Sequence, residues 1–149
     1  MRNLKPVLLL EDDEVDATTV KKAAKDLNVA NALIHFINGE EALEYLRNQA
    51  NHMPCVILLD LNMPRMNGIE FLKVIKADSN LRCIPIIAIT TSKSNTDKSQ
   101  CFDNGIAGYI VKPNNYDEFV KAFKILNLYW TINELPENIP NSHKAASVP

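Results

Sequence analysis

Five short runs of apolar and β-branched residues alternate with longer amphipathic stretches along the chain. The runs span residues 7–10, 33–37, 56–59, 84–89 and 106–111. Four of them are nearly continuous in apolar residues, which is typical of strands that are covered on both faces of a parallel sheet. The alternation therefore predicts a three-layer α/β domain in which helices connect parallel strands by right-handed crossovers.

The stretches between the runs carry sequence signals for the starts of helices. An asparagine stands three residues before a glutamate in the pairs Asn38–Glu41, Asn67–Glu70 and Asn115–Glu118. Each pair can form a capping box, in which the asparagine side chain accepts a backbone amide and the glutamate bonds back to the asparagine amide. The β-α unit thus repeats five times, and a doubly wound sheet of five strands favours the strand order 2-1-3-4-5.

Functional sites of doubly wound sheets lie outside the carboxyl ends of the strands, near the point where the strand order reverses. Polar residues stand at four of these ends: Glu11, Asp12 and Asp13 after the first run, Asp60 after the third, Thr90, Thr91 and Ser92 after the fourth, and Lys112 after the fifth. Clustered carboxylates repel one another unless a cation lies between them. Such oxygen ligands suit Mg²⁺, which also binds phosphate oxygens.

These residue types together predict phosphoryl chemistry. Asp12 and Asp60 are the best carboxylate ligands by position, and Asn62 can add its backbone carbonyl. Asp60 is then the nucleophile, because carboxylates can form aspartyl-phosphates. Thr90 can donate a hydroxyl hydrogen bond to the phosphoryl group, and Lys112 can supply a positive charge.

Four motifs resemble the CheY-like receiver domains of two-component response regulators. They are VLLLEDDE at 7–14, VILLDLNMPRMNG at 56–68, IIAITTS at 86–92 and GYIVKP at 108–113. Their order and spacing match that family, and the set of four is far more specific than any one motif. The resemblance implies a doubly wound (βα)5 flavodoxin-like sandwich, with a receiver domain over residues 5–128 and a partly disordered extension over 129–149.

The resemblance also implies the roles of the metal and acceptor residues. Glu11 and Asp12 match the acidic pair that holds Mg²⁺, and Asp60 matches the phosphoacceptor. Asn62 matches the residue whose main-chain carbonyl joins the metal site, and Lys112 matches the family's invariant lysine. Glu11 replaces the more usual Asp, which lengthens the reach to the metal. The implied function is a phosphorylation switch rather than an enzyme.

Further matches concern the switch itself. Thr90 corresponds to the switch hydroxyl, and Tyr109 to the aromatic residue whose ring turns inward or outward with activation. The bond before Pro113 resembles one that is cis in the family. Thr91 stands where a smaller residue is usual and could crowd phosphoryl access, and Ser92 occupies a position that tunes autodephosphorylation. Asp13, a third acid, is expected to be a solvated helix-start residue.

Composition excludes several classes of partner. The 149 residues carry a formal charge of −2, so no basic excess indicates nucleic acid or an anionic membrane. The apolar run at 7–10 is too short for a signal peptide or a membrane span. Cys55, Cys83 and Cys101 show no metal-ligand spacing and are expected to be reduced, mostly buried thiols of a cytoplasmic protein. The three histidines lack an evident partner and receive no role.

The expected partners follow from the resemblance and from what the sequence lacks. A sensor histidine kinase is the expected phosphoryl donor. The pair Tyr129–Trp130 and the short extension resemble the stand-alone receivers that serve cyanobacterial phytochromes. Too few residues follow the receiver stretch for an output domain. We therefore expect the output to be contact with an unknown downstream protein, or onward transfer of the phosphoryl group.

The last predicted helix has two apolar stripes where an outer helix needs one. The first stripe is Phe119, Phe123, Leu126 and Trp130, and the second is Ile125, Leu128, Tyr129 and Ile132. Two explanations of the second stripe stay open. One is a homodimer through the last helix and the fifth strand. The other is cover by the chain's own tail through Leu135, Pro136 and Ile139.

Three other functions compete with the receiver interpretation. A haloacid-dehalogenase-like phosphatase needs a second Asp two residues after its nucleophile, where this chain has Asn62. A flavodoxin-like FMN carrier needs a phosphate-binding loop after the first strand, whereas residues 11–13 are acidic. A phosphorylation-independent interaction module is the third, and it is disfavoured because Asp12, Asp60, Thr90 and Lys112 are all present.

Overall fold

The computed structural model describes residues 4–136 as five strands alternating with five helices. The strands are β1 (Val7–Leu10), β2 (Leu33–Phe36), β3 (Val56–Leu59), β4 (Ile86–Thr90) and β5 (Gly108–Val111). The helices are α1 (Glu14–Asp26), α2 (Gly39–Arg47), α3 (Gly68–Ala77), α4 (Asn95–Asp103) and α5 (Tyr116–Ile132). All strand pairs are parallel and the order is β2-β1-β3-β4-β5, so the predicted doubly wound fold is confirmed.

The predicted strand positions are correct to within two residues. The largest differences are that β4 begins at Ile86 rather than at 84, and β5 at Gly108 rather than at 106. Pro85 explains the first difference, because it has no amide hydrogen to donate to a neighbouring strand. Its carbonyl still accepts a hydrogen bond from the Ile57 amide at 2.9 Å.

The sheet separates two apolar layers. The side chains of β1, β3 and β4 are fully buried, whereas those of β2 and β5 at the sheet edges are half-buried. On one face, alternate strand residues pack against α2, α3 and α4, with Phe71, Leu72 and Ile75 at the centre. On the other face, the intervening residues pack against α1 and α5, with Phe119, Phe123 and Trp130 buried. This arrangement follows from the period-2 alternation of side chains along each strand.

The helix caps agree with the sequence in part. Asn38, Asn67 and Asn115 each cap a helix by accepting an amide from the residue three positions later. Only the Asn67–Glu70 pair has both bonds of a capping box, with distances of 2.9 and 3.1 Å. The prediction of three reciprocal boxes is therefore wrong for the other two, where the asparagine bond alone satisfies the helix start.

Helix α5 shows the first predicted stripe and three of the four residues of the second, whereas Tyr129 is partly buried against the core. Phe119, Phe123 and Trp130 are buried, while Leu126 is only partly so. On the second stripe Ile125, Leu128 and Ile132 are 67%, 56% and 78% exposed. Leu135 is half-buried and Pro136 is exposed, and Ile139 lies outside the described residues.

The cysteine prediction needs a correction. Cys101 is buried, but Cys55 is half-buried and Cys83 is exposed, so the thiols are not mostly buried. All three are free, and burial raises the pKa of Cys55 and Cys101 to about 11, so these two are neutral thiols at pH 7. None of the helices within residues 4–136 has the length and apolarity needed to span a bilayer.

Candidate functional site

The ends of β1 and β3 bring three carboxylates together. The Asp60 amide donates to the Leu10 carbonyl at 3.0 Å, which aligns the ends of the two adjacent strands. One carboxylate oxygen each from Glu11, Asp12 and Asp60 lie within 4.8 Å of one another. The predicted convergence of acids after the first and third strands is therefore observed.

Burial makes this cluster unfavourable when every carboxylate is charged. Glu11 and Asp60 are 2% and 7% exposed, whereas Asp12 is exposed to solvent. Burial raises the pKa of Glu11 to about 7, and the nearby Asp60 charge adds to that effect. Burial likewise raises the pKa of Asp60, against the opposing influence of the Lys112 charge. Burial therefore disfavours full ionisation of these two acids, and a divalent cation between their carboxylates would offset that penalty.

Lys112 neutralises part of this negative charge. Its Nζ donates to Glu11 Oε1 at 2.7 Å and to Asp16 Oδ2 at 2.8 Å. Burial alone would lower the pKa of Lys112, but the bonds to Asp16 and Glu11 outweigh burial and raise it. Within residues 4–136, these two acids are the ion-pair partners of Lys112, and Asp60 is not within ion-pair distance. Lys112 therefore lies near Asp60 without forming an ion pair with it.

The donor set of the cluster fits a hard divalent cation. It combines one exposed and two buried carboxylates, with no soft ligand among them. The backbone amide of Asn62 is close enough to the Asp60 carboxylate to lower its pKa, which places Asn62 at the site. The role of the Asn62 carbonyl as a ligand stays a prediction.

A chain of hydrogen bonds leads from Thr90 toward α4. Thr90 is fully buried, and its Oγ1 accepts the Ser92 amide at 3.3 Å. The Ser92 hydroxyl donates to Asp97 Oδ2 at 2.6 Å, and the Tyr109 hydroxyl donates to the Ser92 carbonyl at 2.9 Å. Thr91 is exposed. The predicted switch residues Thr90 and Tyr109 are thus joined through Ser92, and their roles in switching stay predictions.

One site prediction is wrong. No peptide bond within residues 4–136 is cis, so the bond between Lys112 and Pro113 is trans. The trans form is favoured by about 0.5–1 kcal/mol before proline, and only a specific context reverses that preference.

Several residues at the site were not singled out from the sequence. Asp16, in the first turn of α1, contacts Lys112, and His35 Nε2 lies 2.7 Å from the Glu11 carbonyl. A carbonyl oxygen only accepts, so Nε2 is the donor, and the view that this histidine lacks a partner is wrong. Asp13 behaves as expected and caps α1 by accepting the Asp16 amide. Because the two contacts join different elements, no local sequence signal could have revealed them.

Gly68 is a further residue whose importance the sequence did not show. A Cβ atom at this position would lie 2.5 Å from the Asp60 carbonyl oxygen and 2.6 Å from the Leu61 Cα. The Gly68 amide donates to the Leu61 carbonyl at 3.0 Å. Glycine thus allows the start of α3 to press against the backbone that carries Asp60.

Comparison with known proteins agrees with this geometry. Residues 7–124 match the family described as the response regulator receiver domain. The chain belongs to this family. Receiver domains are signalling modules of two-component systems, and the predicted family resemblance is confirmed.

Two curated relatives of similar identity carry different functional descriptions. The probable methanogenesis regulatory protein FilR2 of Methanothrix harundinacea is 31% identical over 127 residues, covering 83% of this chain and 82% of that protein. The response regulator Rcp1 of Synechocystis sp. is 30% identical over 130 residues, covering 85% of this chain and 88% of Rcp1.

Solved receiver structures share the fold. The phosphorylated cyanobacterial phytochrome response regulator RcpA superposes with a TM-score of 0.83 at 31% identity. The superposition covers 91% of this chain and 100% of the RcpA chain. The Mn(2+)-bound form of Rcp1 gives a TM-score of 0.81 at 30% identity, covering 89% and 99% of the two chains. The bound divalent metal in this relative is consistent with the carboxylate cluster described above.

Proposed function

We propose that this receiver is a single-domain phosphorylation switch that accepts a phosphoryl group on Asp60 with Mg²⁺ bound. The observation that supports this most strongly is the cluster of Glu11, Asp12 and Asp60 carboxylates within 4.8 Å, with Lys112 beside it. The match to nearly the full length of Rcp1 supports the single-domain form. The proposal includes a cytoplasmic location, which three free cysteines favour.

Each residue has a defined part in the proposed reaction. An Asp60 carboxylate oxygen attacks the phosphorus atom of the donor. The bond between phosphorus and the donor atom breaks, and the donor leaves with the electron pair of that bond. Glu11, Asp12, Asp60 and the Asn62 carbonyl would hold Mg²⁺, which supplies positive charge to the phosphoryl oxygens. Thr90 and Lys112 donate to two other phosphoryl oxygens. The protein mainly positions charge, as phosphoryl transfer requires.

Phosphorylation by acetyl phosphate tests this function. We expect Mg²⁺-dependent incorporation, seen as a shift in intact mass, in the wild type and its loss in Asp60→Asn. Asp13→Asn is the matched control, because it alters a neighbouring acid outside the cluster and keeps a capping side chain. Failure of the wild type to incorporate phosphoryl from both acetyl phosphate and histidine kinases would favour the phosphorylation-independent interaction module.

The proposed switch runs from Thr90 through Ser92 to Tyr109. In the structure described above, the Ser92 amide donates to the Thr90 hydroxyl at 3.3 Å. A phosphoryl group on Asp60 draws that hydroxyl toward it and breaks the bond from Ser92. Because Tyr109 is bonded to the Ser92 carbonyl, its ring responds, and the surface of α4 and β5 changes. Equal affinity of a downstream partner for the phosphorylated and unphosphorylated protein would contradict this sequence of events.

The proposed donor is a sensor histidine kinase of the phytochrome type. The similarity to RcpA, a cyanobacterial phytochrome response regulator, supports this choice. FilR2, which is equally similar in sequence, is instead a probable regulator of methanogenesis. To test whether the donor is of the phytochrome type, we would compare the rate of phosphoryl transfer from an autophosphorylated phytochrome kinase with the rate from an unrelated histidine kinase. We expect the phytochrome kinase to transfer faster, and equal rates would remove the reason to prefer it.

The proposed assembly is a homodimer through α5 and β5. The exposed Ile125, Leu128 and Ile132 and the half-buried edge strand support it. Light scattering after gel filtration should give twice the chain mass for the wild type and the monomer mass for Ile125→Ser/Leu128→Ser. A monomeric wild type at high micromolar concentration would favour the alternative in which the tail covers this stripe.

A further inference from the structure

Asp16 is an acid that contacts the site without belonging to the carboxylate cluster. It lies in the first turn of α1, and its side chain is 39% exposed. Its Oδ2 accepts from Lys112 Nζ at 2.8 Å. The cluster that can hold a metal consists of Glu11, Asp12 and Asp60. Asp16 therefore has Lys112 as its partner and is not one of the acids that can hold the cation.

The Glu11 carboxylate, in contrast, has two possible partners, the cation and Lys112. It is one of the cluster acids, and it also accepts from Lys112 Nζ at 2.7 Å. A cation at the cluster and the Lys112 ammonium are both positive, so they repel each other across the same carboxylate. Cation binding therefore weakens the bond between Glu11 and Lys112.

The ammonium needs another anionic partner when that bond weakens. The side chain of Lys112 is mostly buried, with 12% of its surface exposed, so an unpaired charge there is costly. Asp16 already bonds to it, and one of the three ammonium hydrogens is directed to neither Glu11 nor Asp16. With Asp16 as its fixed anchor, Lys112 has hydrogens free for a phosphoryl oxygen.

We infer that Asp16 is a positioning residue that keeps Lys112 at the phosphoryl site when the cation takes over Glu11. The inference rests on the proposed Mg²⁺ site and adds a residue to it. Asp16 acts through Lys112, so it contacts neither the cation nor the acceptor carboxylate. Without Asp16, Lys112 depends on Glu11 alone and competes with the cation for it.

Nuclear magnetic resonance of the full chain tests this directly. Spectra that correlate lysine ammonium nitrogens with carboxylate carbons across hydrogen bonds show which acids bind Lys112. Without Mg²⁺ we expect correlations of Lys112 with both Glu11 and Asp16. With saturating Mg²⁺ we expect the Asp16 correlation to persist and the Glu11 correlation to weaken or vanish. Loss of the Asp16 correlation, or an unchanged Glu11 correlation, would overturn the inference.

Calorimetric titration with Mg²⁺ gives a second and independent measurement. We expect Asp16→Ala to raise the Mg²⁺ dissociation constant about three- to tenfold, since neighbouring charged groups couple by this order of magnitude. Asp16→Glu, which restores a carboxylate, should return it to within about twofold of the wild type. Glu14→Ala, an exposed acid in the same helical turn, is the matched control for general loss of charge.

The outcomes separate the inference from the proposed function. A wild type that binds no Mg²⁺ removes the proposed metal site itself. A wild type that binds Mg²⁺ normally, together with equal constants for Asp16→Ala and Glu14→Ala, removes only the role of Asp16. Thermal unfolding of each variant identifies any loss of affinity that comes from a damaged fold.

Discussion

Helices α4 and α5 lie on opposite faces of the sheet and are held there by different forces. Helix α5 buries Phe119, Phe123 and Trp130, and the three rings contact one another in sequence at centroid distances of 5.9 and 5.6 Å. Helix α4 has one buried residue, Cys101. The apolar area that α5 removes from water is therefore far larger, and apolar area is what stabilises docking most.

Polar bonds hold the start of α4 instead. Ser94 caps the helix, and Asp97 in its first turn accepts from the Ser92 hydroxyl at 2.6 Å. Ser92 is in turn bonded to Thr90 and Tyr109. Helix α5 is therefore held mainly by its buried rings, whereas the start of α4 is held by hydrogen bonds that lead from Thr90 through Ser92. A helix held in this way can shift when the chemistry at the sheet edge changes.

The largest expected effect comes from removing a ring from α5. Phe123→Ala should lower the free energy of unfolding by about 3–5 kcal/mol, because Phe123 is 1% exposed and its removal leaves a cavity. Phe102→Ala in α4 is the matched control, since Phe102 is 56% exposed, and its change should stay within about 0.5 kcal/mol. Urea unfolding measures both, and similar losses would break the contrast between the helices.

A smaller effect is expected from pH at the carboxyl edge of the sheet. Burial raises the pKa of Glu11 to about 7 from a value of 4.5, so the folded protein binds more protons than the unfolded chain between these values. Stability without Mg²⁺ should therefore fall as pH rises from about 4.5 to 7, by on the order of 2 kcal/mol. Asp60, whose pKa is also raised by burial, contributes with the same sign.

Urea unfolding at a series of pH values checks this dependence. Glu11→Gln should reduce the slope of the curve, because Glu11 no longer titrates and only the contribution of Asp60 is left. Phe123→Ala should lower the whole curve without changing its slope, since α5 carries no part of the effect. A stability that rises between pH 4.5 and 7 would show that the acids are ionised in the folded protein at low pH.

A still smaller effect is expected at the polar attachment of α4. Asp97→Ala removes the bond from Ser92 and should destabilise α4 locally by about 1 kcal/mol, the usual contribution of such a bond. Amide hydrogen exchange should then be faster in residues 95–103 and unchanged in α5. Thr96→Ala, an exposed neighbour, is the control. Equally faster exchange in both helices would mean that they open as one unit.

The smallest effect on stability is expected on the exposed stripe of α5. Ile125→Ser should change the unfolding free energy of the monomer by less than about 0.5 kcal/mol, since the side chain is 67% exposed. Urea unfolding at low micromolar concentration measures this. A large loss there would show that the stripe is covered within the same chain.

The periodicity of the sequence predicted the fold because each element repeats one simple rule. Continuous apolar runs became the buried strands β1, β3 and β4, and the acids after β1 and β3 met because parallel strands end at the same sheet edge. Contacts between distant elements were a different matter. Asp16 and Lys112 are 96 residues apart in the chain, and only the folded structure brings the start of α1 close to the residue that follows β5.

The sequence also did not predict local details for which two conformations differ little in energy. The isomer before Pro113 was predicted cis and is trans, a choice of about 1 kcal/mol that family resemblance does not decide. The capping boxes at Asn38 and Asn115 lack their second bond, although Glu70 makes it at Asn67 and all three glutamates are exposed, so exposure does not decide the outcome.

Trp130 gives this protein a built-in optical probe, because it is the chain's one tryptophan. Its ring is 4% exposed against Phe123, and no group within residues 4–136 accepts a hydrogen bond from its indole nitrogen. Its emission should therefore be that of an indole in an apolar setting and should shift to longer wavelength when α5 leaves the sheet. Fluorescence will follow unfolding faithfully, whereas events at Asp60 will need a label placed near Tyr109.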